Sequence, residues 1–126
     1  MPTIYVSRQG NSTKLSLRDS EGNGNNSDQI TTLVNASDTV TWEIDPTPPP
    51  GSNSISSIIN IYKKMDNNPN NVSVLTANPS NLGNNLFQGT VVSPSPGSGK
   101  SESYSIDYQL TNGGNTLTDD PKLQMN

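Results

Sequence analysis

Between its second and third apolar runs the chain reads Asp19-Ser20-Glu21-Gly22-Asn23-Gly24-Asn25-Asn26-Ser27-Asp28, a segment that concentrates carboxylates, amides and glycines. Calcium takes roughly six to eight oxygen ligands on a flexible loop, and these side chains supply them. Asp19, Glu21, Asn23 and Asp28 are the candidate calcium ligands. The spacing departs from an EF-type loop. Counted from Asp19, the last loop position falls on Ile30, where a bidentate Glu is required. The same composition suits a plain connection between strands, because Gly and Asn tolerate positive φ. An ion loop and a structural connection both stay open.

Other chemistry is scarcer. The chain has no His and no Cys. It therefore lacks the usual general base near neutral pH, and with it thiolate metal sites and disulfides. A Ser nucleophile would need Lys or a terminal amine as its base. Glu43 and Asp45, two apart, could form a glycosidase-like carboxylate pair. Alternation places them instead on the solvent side of a strand, opposite Val40, Trp42 and Ile44. Asp119-Asp120 ahead of Pro121 reads as a turn. Gly97-Ser98-Gly99-Lys100-Ser101 imitates the end of a phosphate-binding loop, but Pro94 stands where the first Gly is needed. The sequence after Lys100 alternates as a strand, not as the helix whose N-terminus would cradle phosphate. No catalytic residue emerges, and the expectation is a protein that is not an enzyme.

Charge narrows the partners. The net charge is −4, and the seven basic residues (Arg8, Lys14, Arg18, Lys63, Lys64, Lys100, Lys122) are scattered, so nucleic acid is not expected. No run approaches a membrane-spanning helix of roughly 20 apolar residues. Met1 to Val6 runs directly into strand-like sequence and does not resemble a signal peptide. The chain is expected to be cytoplasmic by default, or exported after loss of a leader, and its compartment stays undecided.

Polar content is neutral: 18 Asn, 18 Ser and 12 Thr against two Ala. Such residues bond to nearby backbone and favour turns and caps over helix interiors. Period-two alternation recurs instead. Ile4 and Val6, Leu15 and Leu17, and Ile30 to Val34 open the series. Val40, Trp42 and Ile44 form the clearest stripe, and Tyr104, Ile106, Tyr108 and Leu110 the second. Ile55 to Tyr62 is strand-like, with an ambiguous face because Ile58, Ile59 and Ile61 do not alternate. Val72 to Leu75 and Phe87 to Val92 are further strands, and Asp45 to Ser54 and Asn78 to Asn85 are loops. Asn112-Gly113-Gly114-Asn115 is a hairpin turn. Pro121 implies an edge position or a bulge. Trp42 is expected in the core, as are Tyr104 and Tyr108 with their hydroxyls near the rim. Asn11, Asn25, Asn35 and Asn71 each begin a glycosylation acceptor triplet, expected by chance in so Asn-rich a chain. The architecture implied is one all-β domain over residues 1–126, a Greek-key β-sandwich of seven to nine strands.

Val34-Asn35-Ala36-Ser37-Asp38-Thr39-Val40-Thr41-Trp42 resembles the V-x-x-G-D-T-V-T-W strand lead-in of cupredoxin-like domains, with Ser37 where Gly is usual. An immunoglobulin-like sandwich is the neighbouring possibility. The closing Tyr104-Ser105-Ile106-Asp107-Tyr108 and Asp120-Pro121-Lys122-Leu123 look like the end of small bacterial β-sandwiches, some of them inclusion-body or self-assembling proteins. The resemblance implies the scaffold without the metal. Cupredoxins hold copper through imidazoles and a thiolate, which this chain cannot supply, and Met125 alone makes no copper site. No cofactor is expected beyond a possible calcium ion. The functional expectation is a metal-free, non-catalytic module with a structural, self-assembling or protein-binding role through edge strands near Ile55–Tyr62 or the termini. The alternative is a carbohydrate-binding module, calcium-assisted through Asp19, Glu21, Asn23 and Asp28.

Overall fold

A computed structural model describes residues 1–24 and 27–126. Asn25 and Asn26, at the centre of the acidic loop and within one acceptor triplet, lie outside the described residues. No described residue is helical, as the scarcity of Ala and the excess of cap-forming side chains require. Among the described residues eleven strands form: β1 Thr3–Gln9, β2 Leu15–Asp19, β3 Thr31–Val34, β4 Thr39–Ile44, β5 Ser52–Asn53, β6 Ser57–Lys63, β7 Ser80–Gly83, β8 Leu86–Thr90, β9 Ser101–Gln109, β10 Thr116–Asp119 and β11 Lys122–Met125.

Two sheets result. The first runs β2-β1-β4-β8-β7, with β5 pairing the far end of β1. The second is centred on β9, which pairs β6, β10 and β11, and β3 lies parallel beside β11. β1 and β4 are also parallel, in the register Ile4 to Trp42. Their inward stripes meet in one core that includes Ile4, Val6, Leu17, Val40, Trp42, Phe87, Tyr104, Ile106 and Leu123. Each such apolar side chain contributes about 1.5–3 kcal/mol by leaving water. A chain this lean in apolar residues can still fold because its alternation aims most of them inward.

The strand count exceeds the expected seven to nine for local reasons. β5 and β7 are short pieces with no apolar stripe to announce them. β10 and β11 run in one register along the same side of β9 and are parted only at Asp120-Pro121. Pro121 has no N–H to give a ladder, but its carbonyl accepts the Tyr104 N–H at 3.0 Å. It is buried at this interruption and does not mark an edge. Val72 to Leu75, expected as a strand, forms only isolated bridges from Asn71 and Leu75. Ile55 to Tyr62 fails to alternate because β6 carries a bulge between Ile58 and Asn60.

Ser37 accounts for the one departure from the lead-in pattern between β3 and β4. Its φ is 69°, the left-handed region where a side chain is strained and Gly is not. Ser37→Gly should therefore raise stability by up to about 1 kcal/mol, the relief of strain exceeding the added unfolded-state entropy. Equilibrium urea unfolding checks this, and a destabilised variant would show that the Ser37 side chain contributes more than its backbone costs.

Candidate functional site

In the described part of the acidic loop, Asp19, Glu21 and Asn23 bond to the protein itself. Asp19, at the end of β2, is buried. Its Oδ1 accepts the N–H groups of Glu21 and Asn23, each at 3.0 Å. Its Oδ2 accepts the Thr32 hydroxyl at 2.6 Å and the Asn23 amide at 3.1 Å. Burial and the neighbouring Asp19 charge push the Glu21 carboxyl above its ordinary value, while a bond from the Leu33 N–H pulls it back. Asp28 lies apart and pairs with Lys14 at 3.4 Å. Asp19, Glu21 and Asn23 are thus brought together by bonding to backbone and to one another. Among the described residues no group of three or more acidic side chains is arranged around a common point.

These bonds seal strand edges. An outer strand presents unpaired N–H and C=O groups that another chain can join. On β2, the outward N–H groups of Leu15, Leu17 and Asp19 reach Asp119 Oδ2, the Ser27 carbonyl and the Asn23 carbonyl. The Leu33 N–H of β3 meets Glu21. On β6, Asn side chains do the same work. Ile58 N–H donates to Asn85 Oδ1, Ile61 N–H to Asn60 Oδ1 and Lys63 N–H to Asn78 Oδ1, all at 3.0 Å. The abundance of Asn thus has a structural use that composition alone does not disclose. β7 differs: all four of its residues are exposed, with Leu82 in solvent, although its bulge and the Asn81 bond to Gly83 N–H shorten the usable edge.

Buried polar groups elsewhere are satisfied. Trp42 donates its indole N–H to the Tyr104 hydroxyl at 3.1 Å, and the rings meet edge to face. The Tyr104 hydroxyl thus lies inside the core and not at the rim, because this partner is there. The Tyr108 hydroxyl does reach outward, donating to the Thr13 carbonyl at 2.6 Å beside Asp119. Asp45 is buried and not solvent-facing as alternation implies, because β4 ends at Ile44 and Asp45 turns to Arg18. Arg18 grips it through Nε at 2.6 Å and Nη2 at 2.8 Å. Glu43 stays half-buried beside Tyr5, so no carboxylate pair forms. Among the described residues no buried side-chain polar atom lacks a partner.

What remains is the outer face of the second sheet. Ser103, Ser105, Asp107 and Gln109 of β9 face outward there, because Glu102, Tyr104, Ile106 and Tyr108 turn in. Where β6 runs beside β9, an open depression of about 950 Å³ is lined by Asn60, Tyr62, Lys63, Lys64, Met65, Asp66, Asn78 and Asp107 among others. Tyr62 donates its hydroxyl to Asp107 Oδ1 at 3.0 Å, and Thr118 donates to the same oxygen at 2.6 Å. These bonds fix the ring. Partial burial, then the Asp107 bond and charge, hold the Tyr62 phenol above its ordinary value, so it remains a neutral donor. The sequence points to Ile55–Tyr62 as an edge for strand pairing but not to this face, since the bulge that turns Asn60 and Tyr62 outward also erases the alternation. A second, more polar cleft of about 510 Å³ adjoins it, crossed by the Lys64–Asp120 pair at 3.5 Å. Among the described residues no helix is long and apolar enough to cross a membrane. The sequence matches no protein-family model, and comparison with curated proteins finds no significant match.

Proposed function

We propose that this chain is a non-catalytic β-sandwich module that binds another macromolecule through the outer face of its second sheet. The carrying observation is the contrast between the two kinds of surface. The outward N–H groups of β2 and β6 are taken up by the chain's own side chains and loops. The β6–β9 face instead holds a fixed aromatic ring among amides and carboxylates. For the sandwich type we favour the cupredoxin-like form over the immunoglobulin-like one. Support comes from Val34 to Trp42, which passes from β3 in one sheet to β4 in the other, with Ser37 left-handed where that pattern has Gly.

Self-assembly by strand pairing is the competing reading. Sedimentation of the full chain should show a monomer at micromolar concentration, and filaments or growing oligomers would overturn the face-binding reading. The caps make a second check. Asn78→Ala with Asn85→Ala frees the Lys63 and Ile58 N–H groups on β6, and this variant should associate where the native chain does not. A variant as monomeric as the native chain would mean the Asn caps do not guard the edge.

A further inference from the structure

The depression beside Tyr62 has a donor and acceptor pattern that names its ligand class, and we infer that it binds a neutral carbohydrate; this rests on the face-binding reading above. A sugar ring offers an apolar face of C–H groups and a rim of hydroxyls that both donate and accept. Its site therefore needs one flat apolar surface, bordered by fixed groups of both kinds. Tyr62 supplies the surface, and the 91% exposed Met65, which lines the same depression, adds further apolar area. The border follows from the caps. Asn60 and Asn78 each spend Oδ1 on a β6 N–H, which fixes each amide and leaves its Nδ2 without a bonded partner among the described residues. Both line the depression and offer donors to it. Asp107 takes the Tyr62 and Thr118 hydroxyls on Oδ1 alone, leaving Oδ2 as an acceptor. Holding these groups in place before binding reduces the ordering cost that weakens polar recognition.

Charge selects among polar ligands. The lining balances Lys63 and Lys64 against Asp66 and Asp107, and Lys64 is already paired with Asp120. Lys63 donates to the Ser73 hydroxyl at 3.1 Å. No cluster of free cations is left to favour phosphate or a uronate. A neutral oligosaccharide fits better than either.

The test is titration calorimetry of the full chain with soluble gluco-, xylo-, manno-, galacto- and N-acetylglucosamine oligosaccharides. At least one neutral class should bind. Tyr62→Ala should then weaken it roughly tenfold or more, whereas Tyr62→Phe keeps the ring and most of the affinity. Asn60→Asp and Asn78→Asp are sharper, because Asp retains the Oδ1 cap on β6 and replaces only the Nδ2 donor. Each should weaken binding severalfold while the melting temperature holds. Absence of binding across the panel overturns the carbohydrate assignment. So does binding that none of these changes affects. Either result leaves the face-binding reading intact, since that reading falls on the sedimentation experiment.

Discussion

Arg18→Ala is expected to cost about 3 kcal/mol at neutral pH, seen as a lower urea midpoint with an unchanged slope. The Asp45 side chain is fully enclosed while Arg18 keeps a third of its own in solvent, which sets the estimate at the low end for a broken buried pair. Losing the guanidinium leaves a buried carboxylate with only the Thr47 N–H as partner. It also removes the cation 4.3 Å above the Tyr5 ring. The pH dependence identifies the cause. In the native chain burial alone would raise the Asp45 carboxyl, but the Arg18 bonds, the Thr47 N–H and the guanidinium charge together hold it below its ordinary 3.8. A group depressed on folding contributes stability above its unfolded value and loses it as pH falls through the folded one. In Arg18→Ala the burial is uncompensated and the carboxyl rises, so the deficit should shrink on acidification. Adding Asp45→Asn should recover part of the loss at neutral pH. A deficit that is constant with pH, or below about 1 kcal/mol, would reduce the contact to an ordinary surface pair.

That pair also shows where reading from sequence stops. The stripes Val40-Trp42 and Tyr104-Ile106-Tyr108 were legible because strands that face a core must alternate, and all five side chains are buried. Asp45 sits on the same alternation count as Glu43, yet β4 has ended before it, and only the partner across the sheet turns it inward. Strand boundaries are set by such partners, and alternation is silent about them. β7 escaped notice for the complementary reason: a strand exposed at every position carries no apolar stripe. The candidate site was the least legible part. Its ring lies beyond the β6 bulge, and one of the caps that line it, Asn78, comes from a loop 15 residues away in sequence from the N–H it bonds. An Asn that seals an edge and an Asn that merely turns a loop look alike in sequence. The acidic loop adds a further case, for its composition does not disclose that the Asp19 carboxylate accepts two backbone N–H groups and the Thr32 hydroxyl.

Glu102 carries the other large effect, with the opposite pH behaviour. It is buried on the inward side of β9, and its Oε1 accepts the N–H groups of Val74 at 2.8 Å and Leu75 at 3.2 Å. These bonds hold the irregular stretch 71–76 across the end of the sandwich, where Val74 and Leu75 join the core. Glu102→Ala deprives two buried N–H groups of their acceptor and should cost about 3 kcal/mol. Glu102→Gln keeps a carbonyl oxygen in the same place without the charge. Burial holds the Glu102 carboxyl above its ordinary 4.5, more strongly than the two N–H groups and Lys63 lower it. A carboxyl raised on folding favours the native state most below its unfolded value, and that contribution declines as pH rises through the folded value. Glu102→Gln should therefore match the native chain in acid, equal or exceed it at neutral pH, and flatten the decline between. If Glu102→Gln were as damaging as Glu102→Ala at neutral pH, the negative charge itself would be what holds the loop, and the dominance of burial at this position would be wrong.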